Sequence, residues 1–450
     1  MPENDSGEEH VATPGSSHRM REPEEHTHNP LVRYFKTLGP GVVTGASDDD
    51  PSGITTYAVA GAAFGPAMLW TALATFPLMA GIQLICARIG LVSGFGLAGA
   101  VRRHYPRPYL YGACLLLLIA NVFNIAADLA GMAESATMLT GLPSLVFVPL
   151  FGLGILWVTV YTSYATFARY LKWLTSVLFA YIIAAFLAKP DWSHVLWATF
   201  VPTLRWDPAY LATLVGVLGT TISPYLFFWQ ASQEVEEEKE RGRRTLAQRR
   251  GATPHELADA RLDVATGICF SNVVFYFIIL TTATTLYRSG QRDIETARQA
   301  AEALRPLAGD LAYVLFGAGL IGTGLLAIPV LAGSASFAVA ELFGWRAGLE
   351  LSPRRGRRFY LVFAGALVAG MALDFFRFSP TRMLFYSAVL NGLLAPPLMV
   401  LVMMVGNDRR IMGGHTNGVW LNLFGWTATV AMGAATVALA LTGVQKVGGP

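Results

Sequence analysis

Charge is scarce in this chain. Asp, Glu, Lys and Arg make up 14% of its 450 residues, whereas a soluble globular chain carries about a quarter. With 53% hydrophobic residues and a mean hydropathy of +0.45, a chain solvated mainly by water is excluded. The net charge of +3 is too small to imply a nucleic-acid partner. Cysteine is nearly absent: Cys86, Cys114 and Cys269 lie far apart in apolar runs, which excludes a disulfide framework and a thiolate metal site. No HExxH motif and no histidine pair occurs in an apolar run, so nothing points to an enzyme. Residues 1–34 are polar and lack an apolar core, and they are expected to form a disordered cytosolic tail rather than a signal peptide. His10, His18, His26 and His28 in that tail read as solvated spacers.

What is abundant is apolar sequence in runs long enough to cross a bilayer. Eleven spans are expected, at 39–65, 67–92, 109–139, 145–166, 170–188, 209–234, 263–286, 309–336, 357–374, 380–405 and 418–442. Basic residues fall in alternate loops: Arg102, Arg103 and Arg107; Arg169 and Lys172; Arg241, Arg243, Arg244, Arg249 and Arg250; Arg346, Arg354, Arg355, Arg357 and Arg358; Arg409 and Arg410. With the N-terminus cytosolic and the C-terminus outside, every one of these loops obeys the positive-inside rule. The chain is thus expected to be a multi-pass protein of a bacterial-type plasma membrane, in contact with lipid, as a monomer or homodimer.

Two spans are interrupted at mid-depth. Span one carries "DDDPSG" (48–53) and span six "GTTISPYLFF" (219–228). Proline removes a backbone donor and disfavours helix at the residue before it, and unpaired backbone at that depth is tolerated only against protein or a watery cavity. Breaks five helices apart are what inverted-repeat transporters show. The repeats are expected at 35–208 and 209–410, with 411–450 holding an added helix and a short tail. An unwound helix frees carbonyl oxygens, and the C-terminal end of a half-helix is partially negative. With an aspartate added, the place suits a cation, and a bound ion or entering water offsets the charge of Asp48, Asp49 and Asp50.

The motifs resemble those of the natural resistance-associated macrophage protein (Nramp) family of divalent-metal transporters. The first span is similar to that family's "GPG…DPGN" segment, with Asp50 and Pro51 kept. "ADLAG" in span three resembles its "TDLAE", "AKPDWSHVLWATFVPTL" (188–204) its loop after helix five, and "DRRIMGG" from Asp408 its loop after helix ten. The resemblance implies an all-α membrane protein with the leucine-transporter fold: eleven transmembrane helices, a 5+5 inverted repeat and broken helices one and six. It also implies a metal site between the two breaks, with no cofactor beyond the transported divalent ion. Carried over residue by residue, the candidate ligands are Asp50, Gly53, Thr220 (through its backbone carbonyl) and Ser223.

Departures from the pattern bear on selectivity. The DPGN asparagine falls on Gly53, the sixth-helix "MPH" on Ser223-Pro224-Tyr225, a further histidine on Gln230 and the "DLAE" glutamate on Gly131. Soft sulfur is lost and hydroxyls are gained. Carboxylate, carbonyl and water suit Mg²⁺, Mn²⁺ and Ca²⁺, and Mg²⁺, which keeps several waters, needs a roomier site. The changes look like those of the Nramp-related magnesium transporters, so Mg²⁺, with Mn²⁺ as a second substrate, is expected over Fe²⁺. Asp48, Asp49, Tyr225 and Gln230 are candidates for an outer shell or vestibule.

Asn121, Asn124 and Asp128 form one polar stripe on span three, either a water or proton path or a bonded helix interface. Tyr225, with an ordinary pKa of about 10, replaces a group that titrates near neutrality, so uptake uncoupled from protons is expected. Other readings of the same sequence are a proton-coupled Mn²⁺/Fe²⁺ symporter, an organic-substrate carrier on the same fold, and a membrane-embedded metal sensor. Residues 233–250 read as a charged cytosolic loop, with Gln233 and Glu234 at an inner exit.

Overall fold

The structure, a computed structural model, describes residues 38–162, 176–376 and 379–447. The N-terminal tail with its four histidines, the start of span five, and Arg169 and Lys172 lie outside the described residues. The first interrupted span is α1 (Pro40–Asp48) and α2 (Pro51–Phe64), followed by α3 (Trp70–Ser93) and α4 (Leu97–His104). Then come α5 (Arg107–Thr140), α6 (Ser144–Tyr161), α7 (Phe179–Leu187) and α8 (Trp192–Phe200). The second interrupted span is α9 (Pro208–Thr221) and α10 (Pro224–Glu240); α11 (Pro254–Thr284), α12 (Ala312–Phe343), α13 (Arg357–Asp374), α14 (Pro380–Asn407) and α15 (Val419–Val447) complete the chain. Among the described residues, eight spans are long and apolar enough to cross a membrane. The halves of the first interrupted span are too short to qualify singly.

The two interruptions share one backbone design. Asp49 ends α1 at φ −83°, ψ 50° and Asp50 opens α2 at φ −69°, ψ 169°. Ile222 ends α9 at φ −111°, ψ 60° and Ser223 opens α10 at φ −74°, ψ 131°. In both, proline is the first helical residue, where its missing N–H costs nothing, and it forces the residue before it into extended backbone. The expected positions of both breaks hold.

Glycine sets the packing around them. α1 and α2 lie on α11, α10 on α3, α9 on α14, and α5 on α12, α13 and α14. A Cβ at Gly45 would sit 2.2 Å from the Gly267 carbonyl oxygen, and one at Gly41 2.6 Å from the Val264 nitrogen. α1 and α11 therefore touch backbone to backbone, running parallel. The Asp263 carboxylate accepts the N–H groups of Gly39, Gly41 and Val42 at 2.8, 2.6 and 3.2 Å, capping donors that α1 cannot satisfy internally. A Cβ at Gly219 would likewise meet the Ala388 oxygen at 2.2 Å, pressing α9 onto α14.

Several expectations need correction. The sixth span does not end at 234: α10 continues to Glu240. The first part of the supposed loop 233–250 is therefore helix, and Glu234 and Glu238 on it are buried. Arg243 supports the rest, bridging Glu238 at 2.6 Å and Glu256 at 2.5 Å. Span seven starts nine residues early, at Pro254, because Thr253 and Glu256 form a capping box. In the loop after α14, Asp408 caps the turn Arg409–Met412, and the Arg410 guanidinium bonded to it holds its carboxyl down to about 2.

Substituting Gly45 by alanine is expected to lower stability by about 1–3 kcal/mol, as overpacking does, because no flexible group can yield. Alanine at Gly154 on α6, where a Cβ meets nothing within 4 Å, serves as the control. Melting curves of the two purified variants decide the point: equal midpoints would refute the close-contact account.

Candidate functional site at the helix breaks

The two breaks meet at Gly53. A Cβ there would lie 3.0 Å from Thr220 Oγ1, 3.2 Å from the Asp48 carbonyl oxygen and 3.3 Å from Asp50 Oδ1. The Asp50 carboxylate accepts the Gly53 N–H at 2.6 Å, which caps α2 and fixes the rotamer. Across the gap, the Ser223 hydroxyl donates to the Gly219 and Thr220 carbonyls at 3.0 and 2.7 Å. Tyr225 donates to the Ser47 carbonyl at 2.8 Å, tying the second break to the first. Asp50, Thr220, Ser223 and Tyr225 are each at most 1% exposed.

Asp50, Gly53 and Thr220 are thus brought together, with Ser223 adjoining through the Thr220 carbonyl. That carbonyl already accepts a hydrogen bond, whereas Thr220 Oγ1 is buried with no partner. The oxygen that Thr220 offers freely is therefore its hydroxyl, which the residue-by-residue carry-over had not counted. Asp48 and Asp49 lie on the α11 side of the break, both reached by the hydroxyl of Ser271. Ser271 was missed, because one serine in an apolar helix carries no signal until α1 is laid against α11.

The stripe on α5 is divided among neighbours. Asn121 donates to the Leu331 carbonyl and Ser334 on α12 at 2.8 and 2.7 Å, and Asn124 donates to Asn391 on α14 at 3.1 Å. These two serve as interface bonds. Asp128 stands apart. Its Oδ1 accepts the Ser52 N–H at 3.3 Å and its Oδ2 has no partner, so it adjoins the start of α2. Gln230 lies farther along α10, accepting from Thr44 at 2.5 Å and donating to Glu234 at 2.9 Å. It belongs to the seam between α1 and α10 rather than to the Gly53 cluster. Glu134 accepts the Ala297 N–H at 2.9 Å, pinning a loop helix.

Among the described residues, no three Asp, Glu, His or Cys side chains converge as a metal-binding group. No ion pair among them includes Asp48, Asp49, Asp50 or Asp128. What converges is one carboxylate with hydroxyl and carbonyl oxygens, at the C-terminal ends of two half-helices. Such a place repels anions and suits a hard cation.

The chain as a whole is similar to known proteins. A family model described as natural resistance-associated macrophage protein-like matches residues 41–442. A divalent metal cation transporter MntH from Agrobacterium fabrum is 28% identical over 435 residues, covering 94% of this chain and 90% of its own. One from Pectobacterium carotovorum is 29% identical, covering 86% and 90%. A crystal structure of the Eremococcus coleocola manganese transporter, bound to an aromatic bis-isothiourea compound, has a TM-score of 0.73 at 17% identity, over 94% of this chain and 89% of that one. Inward-facing Mhp1 has a TM-score of 0.51 at 15% identity, over 91% of each chain. These likenesses show the leucine-transporter fold that the family resemblance implied.

Replacing Tyr225 by phenylalanine removes the bond between the two breaks while keeping the ring. A loss of about 1 kcal/mol in stability is expected, the worth of one such hydrogen bond, read from the melting midpoint. A stability equal to the wild type would mean that this bond does not hold the breaks together.

Proposed function

The chain belongs to the natural resistance-associated macrophage protein family of multi-pass membrane transporters, and from that premise we propose that it carries divalent metal cations across the plasma membrane, with Mg²⁺ preferred. The observation that supports this reading is the all-oxygen convergence at Gly53: Asp50 Oδ1, the Asp48 carbonyl and the Thr220 hydroxyl. Ser223 adds a hydroxyl in place of a thioether. Glycine at 53 and serine at 223 bring no amide and no thioether to the ion, so fewer protein ligands reach it and it keeps part of its water shell.

In this reading Asp50 is the charged ligand, and Thr220 and Ser223 complete an incomplete shell whose remaining positions are water. The ion leaves toward the arginine-bearing loops, taken as the cytosolic side, along the seam of Thr44, Gln230 and Glu234. A divalent cation falling through a potential of ~100 mV gains about 4–5 kcal/mol, enough to drive uptake without protons. Tyr225 is engaged with a carbonyl rather than poised as a relay, which fits uncoupled transport. A second reading, proton-coupled Mn²⁺ uptake, is favoured by what the relatives are called and by the unpaired Asp128 Oδ2.

The test is uptake by liposomes holding the purified protein. The wild type should take up Mg²⁺ and Mn²⁺, Asp50→Ala neither, and acidification of the lumen should not accompany the metal. Strong preference for Mn²⁺ with proton influx would favour the second reading. Gly53→Asn restores an amide where its Cβ crowds Thr220 and Asp48, and it is expected to shift the Mg²⁺-to-Mn²⁺ uptake ratio toward Mn²⁺ about tenfold, or 1.4 kcal/mol. An unchanged ratio would show that position 53 does not set selectivity.

A further inference from the structure

The Gly53 cluster uses only the backbone of Asp48 and nothing of Asp49, yet both side chains are fully buried. Ser271 Oγ stands 2.8 Å from Asp48 Oδ2 and 3.1 Å from Asp49 Oδ1. One hydroxyl carries one proton, so it satisfies one of them at a time. Asp48 Oδ1 and Asp49 Oδ2 are buried without any partner. These oxygens belong to the C-terminal end of α1, where the orphan carbonyls and the helix dipole add further negative charge.

The arrangement is built by packing, not by chance rotamers. Gly41 lies against Val264 and Gly45 against Gly267. One more turn along both parallel helices brings Asp48 and Asp49 opposite Ser271. Asp50, by contrast, is turned to the Gly53 N–H and the Thr220 side. Two carboxyl groups share one hydroxyl, each keeps an oxygen without a partner, and among the described residues no basic side chain is paired to either.

We propose that Asp48, Asp49 and Ser271 form a second cation station, on the α11 side of the break, which takes a divalent ion with part of its water shell. The carboxylates match the ion's charge, and the lone pairs of Ser271 add a third oxygen. An ion held there stands beside an ion held at Asp50, and the two cations repel each other, which hastens departure from the Asp50 site, as in multi-ion conduction. The station rests on the reading that this chain carries divalent cations, but it fails separately.

The experiment counts Mn²⁺ bound to the purified full-length protein, by equilibrium dialysis and by the loss of free-ion electron paramagnetic resonance signal. The wild type should bind two equivalents. Asp50→Ala and the double variant Asp48→Asn/Asp49→Asn should each keep one, and Ser271→Ala should keep two with the affinity of one reduced about tenfold. A wild type binding a single ion that Asp50→Ala abolishes and the double variant retains overturns the station and leaves the transport reading intact. A wild type that neither binds nor transports metal overturns both. Should the double variant aggregate on size exclusion, Asp49→Asn and Ser271→Ala decide: affinities unchanged in both would equally overturn the proposal.

Discussion

Three consecutive carboxylates stand where two half-helices part, deep in apolar surroundings, and among the described residues no cationic side chain is paired with them. A buried charge without a partner is costly, so everything around these residues has to supply compensation. Part of it comes from backbone: the Gly53 N–H caps Asp50, and the Ser52 N–H points at the neighbouring Asp128. Part comes from Ser271. What remains unsatisfied is the free energy available to a cation. In the proposed function, cation binding follows from incomplete internal neutralisation, and filling the deficit with a lysine or arginine would remove it.

The same deficit explains why the ligands are hard. A site neutralised by charge rather than by covalent character has no use for sulfur. A hydroxyl at Ser223 and no side chain at Gly53 replace a thioether and an amide of the family pattern, and in the proposed function this leaves the ion fewer protein ligands and more of its water. Thr220 fits that scheme. Its carbonyl is partly engaged by Ser223 while its hydroxyl is free and next to Gly53.

The sequence disclosed the breaks because proline acts locally: Asp50-Pro51 and Ser223-Pro224 could not be continuous helix, and the matching dihedral angles at the two places follow from that chemistry. The same proline placed Asp50 at the head of α2, where the structure has it. The sequence did not disclose Ser271 or Asp263, single polar residues on α11 whose partners on α1 are more than 200 positions away. Their meaning appears only once Gly41, Gly45 and Gly267 interlock. The stretch from Gln233 was misread for the converse reason: charge density suggested a solvated loop, whereas helix α10 lays Glu234 against Gly90 of α3 and buries Glu238, which Arg243 bonds. The asparagines of α5 had two meanings in sequence, and the identity of their partners on α12 and α14 selected interface bonding.

The contacts of α1 also limit how such a site can open. Parting α1 from α11 forfeits three backbone hydrogen bonds to Asp263 together with a glycine-to-glycine surface that admits no intermediate spacing. Moving both helices as one body forfeits neither. The softer seam lies between α1 and α10, crossed by the Thr44–Gln230 and Tyr225–Ser47 bonds, with Gln230 bonded in turn to Glu234 on its own helix; water could replace these one at a time. The rigid contact holds the carboxylates in register while the polar seam yields. A path for a hydrated ion is therefore cheapest beside Gln230 and Glu234, the direction in which α10 departs from the break.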